Sequence, residues 1–251
     1  MRIIAVFIMI YLFTEYGFAK NSEWDMMGLT GNVKKMKVQE YKSDPTFGEL
    51  TLITVEAYHF TEAGLLSASE IVLGNGIISQ QLTYVYGFDT SGNITQKKVL
   101  DKKGKPYLSC KYSYDKEGKL KKKGTQFEDS QDKETSERYI YDQEGKLIRI
   151  EKSIGGIPSV IIEYEYDAFG KIEAEIGKTD GETKTECLLL YVYNDNGQIS
   201  SIFGNGVNDE TGVEKKFSYD KTGNLQRVDV WVSTDDGMIL ISVKDYSYEY
   251  W

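Results

Sequence analysis

The sequence predicts an all-β protein: a stack of about seven to eight β-hairpins forming one curved, open antiparallel sheet. Three observations predict it. A nine-residue phrase returns at a fixed period, side-chain character alternates through each copy, and only three prolines occur in 251 residues, as suits a sheet whose backbone donors are used in ladders. No long amphipathic helical spacing follows residue 30.

The phrase is aromatic, any residue, aromatic, then Asp or Asn, two polar residues, Gly, one residue, and Leu or Ile. It is cleanest at Tyr112-Ser113-Tyr114-Asp115-Lys116-Glu117-Gly118-Lys119-Leu120. Further copies run from Tyr139 to Leu147, Tyr164 to Ile172, Tyr191 to Ile199 and Phe217 to Leu225, with looser ones from Tyr58 to Leu66 and Tyr86 to Ile94. Their glycines, Gly64, Gly92, Gly118, Gly145, Gly170, Gly197 and Gly223, are spaced by 28, 26, 27, 25, 27 and 26. A period in the twenties marks a repeat architecture, in which recurring residues are scaffold before they are chemistry.

Each part of the phrase has a structural reason. Two aromatics one residue apart lie on one face of a strand, and the small or polar residues between them, such as Ser113, Glu165 and Ser218, point the rings inward. Asp-x-x-Gly suits a type I turn followed by a left-handed Gly, the three-residue hairpin with a bulge. After the Gly an alternating strand restarts, as in Ile172-Glu173-Ala174-Glu175-Ile176. Between copies lie looser turns marked by Gly74-Asn75-Gly76, Gly104, Gly155-Gly156, Asp180-Gly181, Gly204-Asn205-Gly206 and Asp236-Gly237. The result is a meander of about fourteen to sixteen strands.

Arg2, the apolar run Ile3 to Phe13 and Gly17-Phe18-Ala19 read as a secretory signal peptide over residues 1–19. Residues 20–57 then read as an N-terminal capping segment in which Gly31-Asn32-Val33 resembles half a unit. Residues 58–251 form the repeat domain, ending in Tyr246-Ser247-Tyr248-Glu249-Tyr250-Trp251, a further copy cut at its turn. The net charge of −9 argues against nucleic acid and anionic membrane as partners. The expected location is periplasmic or at the cell surface, with no membrane span once the signal is removed.

Candidate chemistry is thin. His59, the one histidine, sits between Tyr58 and Phe60 and reads as a surface strand residue, so histidine-based nucleophilic catalysis and zinc both lack their ligands. Cys110 and Cys187 share the tyrosine face and read as small buried residues. In an open stack they would stand about 29 Å apart, where a disulfide needs about 7 Å. Carboxylate pairs are unavoidable among 39 acidic residues, and Asp115, Asp142, Asp167 and Asp220 already have turns to form. Asn194-Asp195-Asn196-Gly197 and Asp235-Asp236-Gly237 lack the spacing of a calcium loop. Trp231 and Trp251 are the aromatics that depart most from the period. The expectation is no catalytic, cofactor or metal residues, no cofactor, and a ligand-binding surface left unassigned.

Tyr-Asp-x-x-Gly-x-Leu, intact at Tyr114 to Leu120, Tyr141 to Leu147 and Tyr219 to Leu225, resembles the YD repeat of the RHS family. That resemblance implies a spiralling sheet of hairpins, which in long members forms a shell around an effector; this chain is too short for such a shell and looks more like small secreted YD-like proteins of Bacteroidetes-type bacteria. The leading expectation is a secreted, non-enzymatic scaffold binding a protein or glycan at the envelope. The alternatives are a hydrolase of envelope or host polysaccharide and an outer-membrane β-barrel. About sixteen strands and a C-terminal aromatic fit the barrel. Lys119-Leu120-Lys121-Lys122-Lys123, and Asp245, Ser247 and Glu249 near Trp251, argue against a lipid-facing wall.

Overall fold

The computed structural model describes residues 27–128, 134–179, 184–206 and 212–251, with backbone alone at 184–187 and 205–206. Sixteen strands follow one another: β1 (Val33–Ser43), β2 (Leu50–Phe60), β3 (Leu66–Leu73), β4 (Ile78–Phe88), β5 (Ile94–Asp101), β6 (Pro106–Tyr114), β7 (Leu120–Phe127) and β8 (Thr135–Tyr141). The second half comprises β9 (Leu147–Ile154), β10 (Ile157–Tyr166), β11 (Ile172–Thr179), β12 (Lys184–Tyr193), β13 (Ile199–Gly206), β14 (Val213–Tyr219), β15 (Leu225–Thr234) and β16 (Gly237–Tyr250). Each pairs antiparallel with its sequence neighbours, and β1 also pairs with β16. The all-β, hairpin-built reading holds. The open sheet does not: the wall closes into a sixteen-stranded barrel.

The bulges in the repeated phrase account for the closure. Tyr114 faces Leu120 while Ser113 faces Lys122, leaving Lys121 as an extra residue. The same offset leaves Ser67, Thr95, Ile148, Glu173, Ser200 and Gln226 extra in the other copies. A bulge bends and twists its strand. Repeated at one rim on every second strand boundary, and joined by further bulges toward the other rim at β1–β2, β3–β4, β5–β6, β9–β10, β11–β12 and β15–β16, it curls the sheet round.

The eighth bulge lies at the seam. Val33 faces Tyr250 and Lys35 faces Glu249, leaving Lys34 extra. The Trp251 amide donates to the Asn32 carbonyl at 3.0 Å, as the Asp115 amide donates to the Lys119 carbonyl at 2.9 Å. Gly31, at φ 78°, takes the turn-glycine place that Gly118 fills at φ 82°. The last phrase is therefore split, Tyr248 to Trp251 supplying one half and Gly31 to Val33 the other, two residues later than its spacing suggests. Residues 33–43 and 50–60 are full wall strands, and position 57 falls inside β2.

Two circumferential sets of contacts tie the copies together at this rim. The second tyrosine of a phrase donates its hydroxyl to the carbonyl of the preceding copy's Leu or Ile: Tyr114 to Ile94 at 2.7 Å, Tyr141 to Leu120 at 2.8 Å, Tyr193 to Ile172 at 2.8 Å and Tyr219 to Ile199 at 2.8 Å. Where Phe88 takes that place, Tyr86 donates to Leu66 instead. Where the residue after the turn glycine is lysine, it meanwhile reaches the next copy: Lys119, Lys146 and Lys171 lie over the rings of Tyr141, Tyr166 and Tyr193. Tyr141→Phe leaves the Leu120 carbonyl without this donor, so it is expected to cost about 1–3 kcal/mol. Urea unfolding of the pair measures it, and an unchanged midpoint would mean the hydroxyl contributes nothing.

Cys110 is buried and free, its Sγ 3.5 Å from Thr125 Oγ1. The backbone of Cys187 faces Gly177 on β11. Six strand steps separate β6 from β12, which puts them about 20 Å apart across a round wall. Two alkylated thiols are expected by intact mass of unreduced, denatured protein; an unlabelled monomer would contradict this wall.

Candidate functional site: the charged lumen

Strand pairing sorts side chains into two faces, because directly opposed residues share one. The face carrying the phrase tyrosines is the inner one. Met36, Phe60, Val99, Ile150, Tyr164, Ile202 and Val228 lie on it at 1–6% exposure, and arcs of it form apolar clusters around Phe60 and Tyr164. Sixteen strands at about 4.8 Å spacing make a wall about 24 Å or more across, wide enough for an aqueous interior.

Past the tyrosines the inner face becomes charged. Glu40 on β1, Glu56 on β2, Lys97 on β5, Lys123 on β7, Glu137 on β8, Lys152 on β9, Glu175 on β11, Lys215 on β14 and Lys244 on β16 all occupy inward register positions. Lys123 pairs with Glu137 at 3.6 Å and Lys244 with Glu40 at 3.6 Å. Tyr139 donates to Glu137 at 2.6 Å and Tyr191 to Glu175 at 3.2 Å; Tyr58 donates to Glu56. Glu175 is 7% exposed. It lies within the electrostatic reach of both Lys152 and Lys215. The belt is therefore a ring of tyrosine-braced charges of both signs.

The phrase itself sets most of these positions. Two residues before the first aromatic stand Glu56, Glu137 and Lys215, where Cys110 also stands; three residues after the Leu or Ile stand Lys97, Lys123 and Glu175. Cys110 was legible as sharing the tyrosine face. Its charged counterparts carry the same signal. The count of three rather than two comes from the bulge, so simple alternation past Ile172 puts Glu175 on the wrong side.

The outer wall is polar over most of its circuit. Arg138, Glu151, Arg149, Glu163 and Lys178 form a row of ion pairs across β8 to β11. Arg227 pairs with Asp229 at 2.8 Å and Asp245 at 3.5 Å, and Lys35 with Glu249 at 3.5 Å. An apolar arc interrupts it, with Leu190, Val192 and Phe203 exposed at 43–44%.

The residues singled out by sequence do not gather. His59 is exposed between Lys35 and Ala68 on the outer face. Trp231 is on the outer wall under Lys216, and Trp251 is at the seam under Lys34. Asn194 Oδ1 accepts the Asn196 and Gln198 amides, and Asp115, Asp142, Asp167 and Asp220 do likewise in their own turns. Asp235-Asp236-Gly237 joins β15 to β16. Among the described residues no three His, Cys, Asp or Glu side chains group as metal ligands.

No family model matches the chain, and no curated protein matches it; the RHS resemblance rests on the repeated phrase alone. Solved structures do match in fold. A porin-like protein from Bacteroides uniformis aligns over 86% of this chain and 98% of its own, at 12% identity and TM-score 0.57. A porin-like protein from Bacteroides vulgatus aligns over 88% and 99%, at 13% identity and TM-score 0.35. The likeness to the first is one of fold. Together with the closed wall it favours the barrel alternative over the open scaffold.

Proposed function

We propose that the chain is a porin-like barrel of the cell envelope that works through its lumen, admitting small polar solutes. The observation that carries this reading is the closed sixteen-stranded wall with a belt of Lys, Glu and Tyr on its inner face. A binding scaffold would instead display its working residues on an open face or loop, and the inward belt has no such role.

The outer wall bears on where the barrel stands. The porin-like fold and the exposed apolar arc at Leu190, Val192 and Phe203 support an outer-membrane placement. The rows of ion pairs support a second reading, a water-standing vessel in the envelope, since Lys or Arg on a lipid face costs about 2–4 kcal/mol at the midplane. Mature protein is extracted without detergent, reconstituted into liposomes, and tested for swelling in a neutral pentose and for Cys110 modification by a small neutral thiol reagent. Swelling supports the conduit. Aqueous extraction with Cys110 modified and no swelling supports the vessel. An unmodified Cys110 with no swelling overturns a solute-accessible lumen.

A further inference from the structure

The inner face changes character again between the belt and the rim of the looser turns. On the arc from β6 to β10 the inward register positions beyond the charges hold Leu108, Phe127, Ile154, Ile157 and Val160. Leu108 and Phe127 face each other, as do Ile154 and Ile157, and the Tyr107 ring meets Phe127 edge-on at 6.0 Å. Thr135 interrupts the arc and turns its hydroxyl onto the Thr125 carbonyl. Exposure separates the two ends of the lumen. Phe60, Ile150 and Tyr164, at the phrase end, are 3–6% exposed, whereas Phe127, Ile154 and Ile157 are 41–63% exposed. Clustered apolar side chains left open to solvent mark a contact surface. Because these point into the barrel, neither a bilayer around the wall nor a second barrel lying alongside reaches them. What reaches them comes through the mouth. Deeper in, it meets the Lys123–Glu137 pair at 3.6 Å and Lys152 opposite Glu137.

We propose that this mouth binds a small amphiphile, its single aliphatic tail on the lip formed by Leu108, Phe127, Ile154 and Ile157 and its polar head at Lys123, Glu137 and Lys152. The site rests on the solute-accessible lumen argued above and gives it an occupant. Lys152 and Ile154 are two residues apart on one strand, and Lys123 and Phe127 four, so belt and lip are separated by about 7–13 Å. An extended chain of about six to ten carbons covers that span. The head displaces no existing partner: an ammonium carries three donors and a carboxylate several acceptor sites, so it shares the ion pair already there. A wholly polar solute would leave the lip wet, and a wholly apolar one would strip water from the charges without replacing it.

Cys110 reports on the site, being inward on β6 at the next inward position from Leu108. In a Cys187→Ala chain, its modification by methyl methanethiosulfonate is followed with glucose and with butyl, hexyl and octyl glucosides, each below its micelle concentration. Glucose is expected to leave the rate unchanged. The glucosides should slow it, the half-protecting concentration falling about two- to fourfold per added methylene. Phe127→Ser should raise that concentration for octyl glucoside by about tenfold or more, and Val85→Ser, at an exposed position on the outer wall, should leave it unchanged. Should Phe127→Ser misfold, Ile157→Ser at the edge of the mouth carries the same test. Modification that no glucoside slows overturns the amphiphile site while leaving the lumen open. Equal protection in the parent and the folded lip variant overturns the assignment to the lip. Sedimentation of the parent without amphiphile is expected to show no pairing through this mouth; a dimer that Ile157→Ser dissociates would give the lip to a second copy and overturn the amphiphile. A Cys110 that is never modified, even with no glucoside present, overturns the accessible lumen itself.

Discussion

Asn224→Leu is expected to lower the melting temperature by about 5–12 °C, far more than Asn93→Leu at the same place in another copy of the phrase. Asn224 is fully buried. Its Oδ1 accepts the Thr30 amide at 2.7 Å, and its Nδ2 donates to the Thr30 carbonyl and to Tyr250 Oη, each at 2.9 Å. The two bonds to Thr30 join residues 194 positions apart and, with the bond to Tyr250, hold the N-terminal segment against β16, where the split phrase has no covalent turn. Leu satisfies none of them and leaves buried polar groups behind, a loss of about 2–4 kcal/mol. For a chain of this size each kcal/mol moves the midpoint by about 2–4 °C. Asn93 makes only bonds within its own turn, to Asp89. The change should also be local, with faster amide exchange in β1 and β16 as the seam frays. Equal shifts for the two variants, or protection lost evenly round the barrel, would show that the seam is not held at Asn224.

The seam was the part of the fold hardest to read. The hairpins, their turns and the inward tyrosines follow from local chemistry, because Asp-x-x-Gly and Tyr-x-Tyr act within a few residues. Closure does not. It depends on a small curl added at each bulge and on the pairing of Gly31-Asn32-Val33 with a phrase more than two hundred residues away. Each half alone resembles a frayed edge, so residues 20–57 look like a cap. The Lys119 to Lys123 run misleads in a related way. Lys119 lies over Tyr141, Lys121 is the bulged residue, Lys122 faces out and Lys123 faces in toward Glu137. A run of one residue type thus serves four different environments. Asp245, Ser247 and Glu249, by contrast, face outward as alternation requires, opposite Gln39, Lys37 and Lys35.

The lumen is hidden from simple alternation for one reason: a one-residue bulge inverts the face of everything after it. Ile172-Glu173-Ala174-Glu175-Ile176 reads as apolar inside and acidic outside. With Glu173 extra, Ile172 stays inside and Glu175 joins it opposite Tyr164, while Ile176 turns outward. The working residues of a barrel therefore hide in a pattern that resembles a solvated face.

The turn glycines permit a graded test of the rim. Gly145→Val is expected to cost the most, Gly104→Val less, and Glu144→Ala least. Gly145 sits at φ 86° and Gly104 at φ 77°, a region where a β-branched residue is strained by about 1–3 kcal/mol. The two differ in surroundings. A Cβ at Gly104 meets nothing within 4 Å, whereas one at Gly145 collides with the Lys119 ammonium. Moving Lys119 also takes it off the Tyr141 ring, a contact worth about 0.5–1 kcal/mol at an exposed site. Glu144 is largely exposed and makes one pair with Lys146 at 3.6 Å, the kind of surface pair worth about 0–1 kcal/mol. Denaturant midpoints for the three chains give the order. Equal losses at Gly145 and Gly104 would mean that backbone strain alone sets the cost and that the lysine ring between neighbouring turns contributes nothing to the barrel. A loss at Gly145 no larger than that of Glu144→Ala would remove the left-handed turn, and with it the bulge on which the closure of the wall depends.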